Sequence, residues 1–251
     1  MKPLSQEFVF AASSYSNAAP LVECLEAVDR RVRVVFDYPS RLPAALENRT
    51  ADVALIPVAE YFRHPEFAMV EGLGVAADGE VRSVLLKCNV PVRQVTSIMK
   101  DPASATSNAL AQLLLKRRFH RDADMRSFRA GAKVDAAVVI GDRALCSAPA
   151  PGGDVDMGGA WKELTGLPFV FAVWAYRRDH PAAAEFAPIA LAACRAGALR
   201  LEAISAREAG TLRRPTDFIL DYLTRYIRYE IGPREREGMD CFRRMLEEDG
   251  I

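Results

Sequence analysis

The side chains in this sequence whose type and spacing suit a ligand are hydroxyls, carboxamides and one arginine. The densest group is Ser13-Ser14-Tyr15-Ser16-Asn17, followed by Ala18-Ala19-Pro20-Leu21. It comes after a short apolar run, Phe8 to Ala12, and before a helical spacing of Leu21, Val22, Leu25 and Val28. A helix start offers unpaired N–H groups and partial positive charge, so it suits a bound anion. Pro20 fits a first turn, where its missing N–H is not needed. The same residues also make an ordinary N-cap through Ser16 or Asn17, and the stretch alone leaves both readings open. A second hydroxyl-rich turn, Ser104-Ala105-Thr106-Ser107, precedes the helix expected over Ala109 to Arg118. Ser40 and Ser83 add further hydroxyls, and Arg82 adds a guanidinium that can pair with a carboxylate. Side chains alternate along a strand, so only one of Arg82 and Ser83 should face a cleft.

Other chemistries leave no mark. The three histidines, His64, His120 and His180, stand beside charged residues or proline in expected turns and read as surface residues. No pair of them has metal-ligand spacing. The five cysteines (24, 88, 146, 194 and 241) are odd in number and widely spaced, as reduced thiols of a cytoplasmic protein would be. No G-x-S-x-G elbow, P-loop or dinucleotide fingerprint occurs. Asp52 and Glu60 flank one strand but lie at different ends of it. What remains is a ring of neutral hydrogen-bonders able to hold a small anion. It is poor equipment for acid–base work unless the substrate supplies its own reactive groups.

The elements that must carry this ring follow from the hydrophobic pattern. Half of the 251 residues are apolar, enough for one large domain or two small ones. Lysine plus arginine and aspartate plus glutamate balance at 33 each, and no basic stripe appears, so nucleic acid is not an expected partner. The first residues, Met1 to Glu7, are polar and do not read as an export signal. No apolar run approaches membrane-spanning length. Strands are expected at Phe8 to Ala12, Val32 to Phe36 and Asp52 to Pro57, alternating with helices, which argues for a parallel α/β unit. In such a sheet ligands lie beyond the carboxyl ends of the strands. The polar turns after Ala12, at Tyr38 to Ser40 and at Pro57 to Tyr61 should therefore meet on one rim. Asp78-Gly79 suggests a hairpin returning as Val81 to Leu86. Pro91 suggests a boundary between lobes, and the aromatic run Leu167 to Tyr176 a return crossing. Helices are expected from Asp179 to about Ala206 with a weak point at Gly197, over Thr216 to Tyr229 and over Pro233 to Glu248.

Several stretches taken together resemble the chorismate dehydratase family, the first committed enzyme of the futalosine route to menaquinone. They are Ser14 to Leu21, Pro39-Ser40-Arg41-Leu42, Asp52 to Tyr61, Ala77 to Val84, Ser104 to Ser107, Trp161 to Trp174 and Tyr222 to Tyr226, and the match spans nearly the whole chain. Two positions depart from the family's habit: Val58, where serine is frequent, and Ala105, where a basic residue is frequent. The sister family, dihydroxynaphthoate synthase, has a different first turn and a catalytic histidine. A non-catalytic solute-binding protein is the other alternative.

The resemblance implies an α/β, two-lobed fold like a type II periplasmic binding protein with a central ligand cleft. Residues 1–88 with 174–251 would form one lobe and 89–173 the other. It implies chorismate as substrate, 3-enolpyruvylbenzoate and water as products, no cofactor, and a monomer or homodimer without nucleic-acid or membrane partners. Asn17 and Ser83 match positions that the family uses at its reacting centre. Ser14, Tyr15, Ser16, Ser40, Arg82, Ser104, Thr106 and Ser107 are the expected substrate contacts.

Overall fold

A computed structural model describes residues 7–129, 131 and 133–251 of the chain. Its strands are β1 (Phe8–Ala12), β2 (Val32–Phe36), β3 (Val53–Pro57), β4 (Phe67–Ala77), β5 (Val84–Cys88), β6 (Ser97–Met99), β7 (Asp124–Arg126), β8 (Ala136–Ile140), β9 (Asp154–Asp156), β10 (Phe169–Arg177) and β11 (Arg228–Glu230). They build two sheets. The first has the order β11-β4-β10-β3-β1-β2 and the second β7-β6-β8-β5-β9.

The first three strands pair in parallel as their pattern predicts, with Phe10 beside Val34 on one side and Val53 on the other. Parallel strands between helices bury both faces, which accounts for the continuous apolar runs. Every residue of β3 is buried. Phe8 and Phe10 are fully buried and meet the Phe186 ring edge-on at 5.5 and 6.1 Å. The long strand β10 then pairs antiparallel with both β3 and β4. Phe242, on the C-terminal helix Pro233–Asp249, packs against Trp161 of the helix Met157–Thr165 and against Phe169 of β10. This aromatic group ties the C-terminal helix to β10 and to the helix that leads into it.

The expected hairpin after Ala77 does not form. β5 pairs antiparallel with β8 and β9 of the second sheet instead of with β4. The segments joining the sheets are therefore residues 78–83 and 157–168. Val84–Cys88 belongs to the second sheet and all of β10 to the first. Proline marks a chain break, but the strand partner decides sheet membership. Three helices also differ from expectation. The first is interrupted, running as Ala19–Val22 and Leu25–Val28. The helix expected from Asp179 is two helices, Ala183–Ala198 and Leu201–Leu212, parting just after the weak point expected at Gly197. The helix at Thr216 ends at Asp221, continues as a π turn over Tyr222–Tyr226, and gives way to β11, which completes the edge of the first sheet. Among the described residues no helix is long and apolar enough to cross a membrane.

Candidate active site

The carboxyl ends of β1, β2 and β3 do converge. Ser13, Tyr15 and Asn17 after β1, Pro39 after β2, and Pro57 at the end of β3 line one side of a cleft between the sheets. Ser104, Ser107, Ile140 and Gly141 line the other, with Leu55, Val75, Val84, Phe171 and Ala172 closing it; the cavity volume is about 60 Å³. Among the described residues that line it there is no carboxylate, imidazole, ammonium or guanidinium.

The second wall is a helix start. The helix Ala105–Arg118 begins four residues earlier than its apolar stripe suggests, because Ser104 caps it: Ser104 Oγ accepts from Ser107 N at 3.1 Å and donates to Ser107 Oγ at 2.8 Å. The first-turn amides and these two hydroxyls therefore face the cleft, an arrangement suited to negative charge. Thr106 points elsewhere. Its Oγ1 accepts the Ala59 amide at 3.0 Å, a first-turn N–H of the helix Val58–Arg63 that has no partner in its own helix.

Other expected contacts divide by position. Tyr15 stands where several hollows meet, its ring lying against Gly141, where a β-carbon would come within 2.9 Å of it. Gly141 has φ +62°, so a residue with a side chain would be strained there as well as obstructed. Ser14 and Ser40 are exposed and line outer hollows instead of the inner cleft. Ser16 is fully buried. Its N–H and hydroxyl donate to the Asp142 carboxylate, the hydroxyl at 2.5 Å, tying the first turn to the helix Gly141–Leu145 of the second unit. Burial pushes the Asp142 carboxyl above the usual carboxylate range, and the hydrogen bonds from Ser16 oppose that.

Ser83 is fully buried, with Val84, the next residue, on the cleft wall. The Tyr222 hydroxyl donates to Ser83 Oγ at 2.7 Å. Burial raises the Tyr222 phenol, while its hydrogen-bonding neighbours Ser83 and Asn17 act in the opposite direction. Tyr222 therefore ties the C-terminal part of the chain to Ser83. Arg82 departs from expectation: its guanidinium lies 3.8 Å from the Tyr226 ring centre and 3.6 Å from Asp221, outside the inner cleft. Its backbone explains this. Ser83 N donates to Val81 O at 2.7 Å, a three-residue turn with Arg82 at φ +60°, which sends its side chain away from that of Ser83.

Sequence reasoning missed Asp142, Asp156 and Tyr222. Asp156 caps the helix Met157–Thr165 through Gly159 N and also accepts Val81 N and Arg82 N. No local pattern marks these roles, although Tyr222 does fall in one of the stretches that carry the family resemblance. His180, expected at the surface, is largely buried and pairs with Asp52 at 2.9 Å. Among the described residues Glu47, His64 and Glu66 bring three possible metal-ligand atoms within 4.8 Å of one another, but none of them lines the cleft.

The fold is that of the periplasmic binding proteins. The structure of an Archaeoglobus fulgidus protein superposes with a TM-score of 0.71 at 16% identity, covering 98% of both chains. The periplasmic aliphatic sulphonate binding protein of Escherichia coli gives 0.66 at 17% identity, covering 98% of this chain and 88% of that one. In sequence, a chorismate dehydratase of Thermus thermophilus is 29% identical over a 263-residue alignment covering 95% of each chain. A chorismate dehydratase of Campylobacter jejuni is 38% identical over 171 residues, 65% of each. The profile of the menaquinone-biosynthesis family matches residues 9–248. With that match over nearly its whole length, the chain belongs to the menaquinone-biosynthesis family.

Proposed function

We infer that the protein is a hydro-lyase that converts chorismate to 3-enolpyruvylbenzoate and water. The observation that carries the mechanism is the neutral cleft: hydroxyls, a carboxamide, a helix start and apolar walls, with no side-chain base among the described residues that line it. Chorismate brings its own. The proton to be lost sits on the ring carbon that bears the enolpyruvyl ether, and its loss spreads negative charge through the ring diene into the ring carboxylate. Donors aimed at that carboxylate stabilise the charge as it develops. The start of helix Ala105–Arg118, with Ser104 and Ser107, supplies such donors. The enolpyruvyl carboxylate of the substrate accepts the proton. The neighbouring hydroxyl then leaves with its bonding electrons, takes up a proton as water, and the ring becomes aromatic.

In this reading Asn17, on the cleft wall, orients the enolpyruvyl carboxylate, and Ser83 assists the departing hydroxyl as the lobes close over the substrate. Closure excludes water and fixes the geometry that an intramolecular proton transfer needs. The reaction runs in the cytoplasm, in keeping with five free thiols. Mixing the purified protein with chorismate and following the ultraviolet spectrum tests the activity directly. An aromatic product spectrum is expected, and unchanged chorismate overturns the reading. Asn17→Ala and Ser83→Ala should each cut turnover at least tenfold, the first with little change in melting and the second with a loss of stability of about 1–3 kcal/mol from the unpaired Tyr222 hydroxyl; near-normal turnover in both removes them from the reacting centre.

A further inference from the structure

The turn Val81-Arg82-Ser83 is an unusual piece of backbone. Ser83 N closes it on Val81 O at 2.7 Å, with Arg82 in the left-handed region at φ +60°. Glycine is the residue that takes such a conformation without strain, and arginine does not. A conformation of this kind persists only when its surroundings hold it. Here the holder is one carboxylate. Asp156 accepts Arg82 N at 2.7 Å and Val81 N at 3.1 Å, while Oδ1 also takes Gly159 N at 2.9 Å. Beyond the turn, the Ser83 carbonyl receives Gly141 N at 2.8 Å and the Ser83 hydroxyl receives Tyr222 at 2.7 Å.

That last bond leaves the Ser83 hydroxyl able to bond one further partner, and a hydroxyl held in such a pair is polarised by it. A small change in the turn would rotate Ser83 out of this line. Burial raises the Asp156 carboxyl, and the three amides it receives oppose that, so the carboxylate is held in place against its own desolvation.

We propose that Asp156 is a positioning residue for the dehydration: through the strained turn at Arg82 it fixes the Ser83 hydroxyl in the line that Tyr222 completes. The proposal rests on the reading that Ser83 acts on chorismate. Asp156→Asn tests it without removing the helix cap, because asparagine caps as well as aspartate does. One carboxylate oxygen becomes an NH2 donor. With the cap to Gly159 kept, that donor faces the Arg82 amide, and the turn loses its shortest tie. Turnover should fall about tenfold or more while KM stays within about twofold, since binding at the Ser104 helix start is untouched. The decisive variant is Arg82→Gly placed on Asp156→Asn. Glycine adopts the turn unaided, so it should recover most of the lost kcat.

Ser83→Ala and the unaltered protein are measured alongside. If the unaltered protein does not act on chorismate, the functional reading falls and the proposal falls with it. If Ser83→Ala keeps full turnover, the assignment of Ser83 fails and so does the positioning role. If Ser83→Ala is inactive but Asp156→Asn is not impaired, or Arg82→Gly fails to restore the impaired variant, the proposal alone is overturned.

Discussion

Thr106 makes a contact whose removal should register in binding more than in folding. Its Oγ1 accepts the Ala59 amide at 3.0 Å, and the two residues are 1% and 2% exposed. The bond joins a helix start of the first unit to the first turn of a helix in the second. In the proposed closure of the lobes over substrate, each binding event opens and recloses this contact. Thr106→Val replaces the hydroxyl by a methyl group of similar size and leaves the amide buried without a partner. Such a loss costs about 1–3 kcal/mol. The cost applies to the closed arrangement, because in the open one the amide is hydrated. Closure should therefore weaken by roughly 5–150-fold, and apparent affinity falls by the same factor as the competent fraction. Steady-state kinetics on chorismate should show KM raised about tenfold with kcat reduced much less. Thr106→Ser keeps the acceptor and should stay within about twofold of the unaltered protein. If valine and serine behave alike, or neither moves KM, the interlobe bond does not govern closure and the reasoning is refuted.

Three other perturbations address different parts of the molecule. Gly141→Ala puts a β-carbon 2.9 Å from the Tyr15 ring at φ +62°, so kcat/KM should drop at least tenfold; Gly210→Ala, on an open helix face, is the control and should raise stability by about 0.5–1 kcal/mol with activity unchanged. Asp142 holds its proton more tightly in the folded protein than in the unfolded chain, so its contribution to stability is fully present below the unfolded value near ~3.9 and is lost as pH rises through the folded one. Asp142→Asn removes that loss, so the melting temperature of the variant minus that of the unaltered protein should grow with pH across this window; a flat difference contradicts the buried carboxyl. Phe242→Ala empties the aromatic contact with Trp161 and Phe169, and urea denaturation should report a loss of about 3–5 kcal/mol.

Much of the framework was legible in the chain because local periodicity carries it. Five-residue apolar runs separated by polar turns foretell the parallel pairing of β1 with β2 and β3, and that pairing brings Tyr15, Asn17 and Pro39 to one rim. The hydroxyl cluster at Ser104 and Ser107 foretells a capped helix start, because the cap is made within three residues. What tertiary structure alone decided are the contacts made across long separations. Asp156 reaches Arg82 over 74 residues, Ser16 reaches Asp142 over 126, and Tyr222 reaches Ser83 over 139. A short-range pattern constrains the φ/ψ of neighbouring residues, but it holds no information about which distant donor meets which acceptor. For the same reason Asp78-Gly79 reads as a hairpin until the second sheet claims β5, and Arg82 reads as a cleft cation until the left-handed turn sends it to Tyr226. The residue types needed to bind an anion were set by sequence. Their division into cleft wall, interlobe tie and buried support was set by packing, which determines which polar groups lose water and must find a protein partner instead.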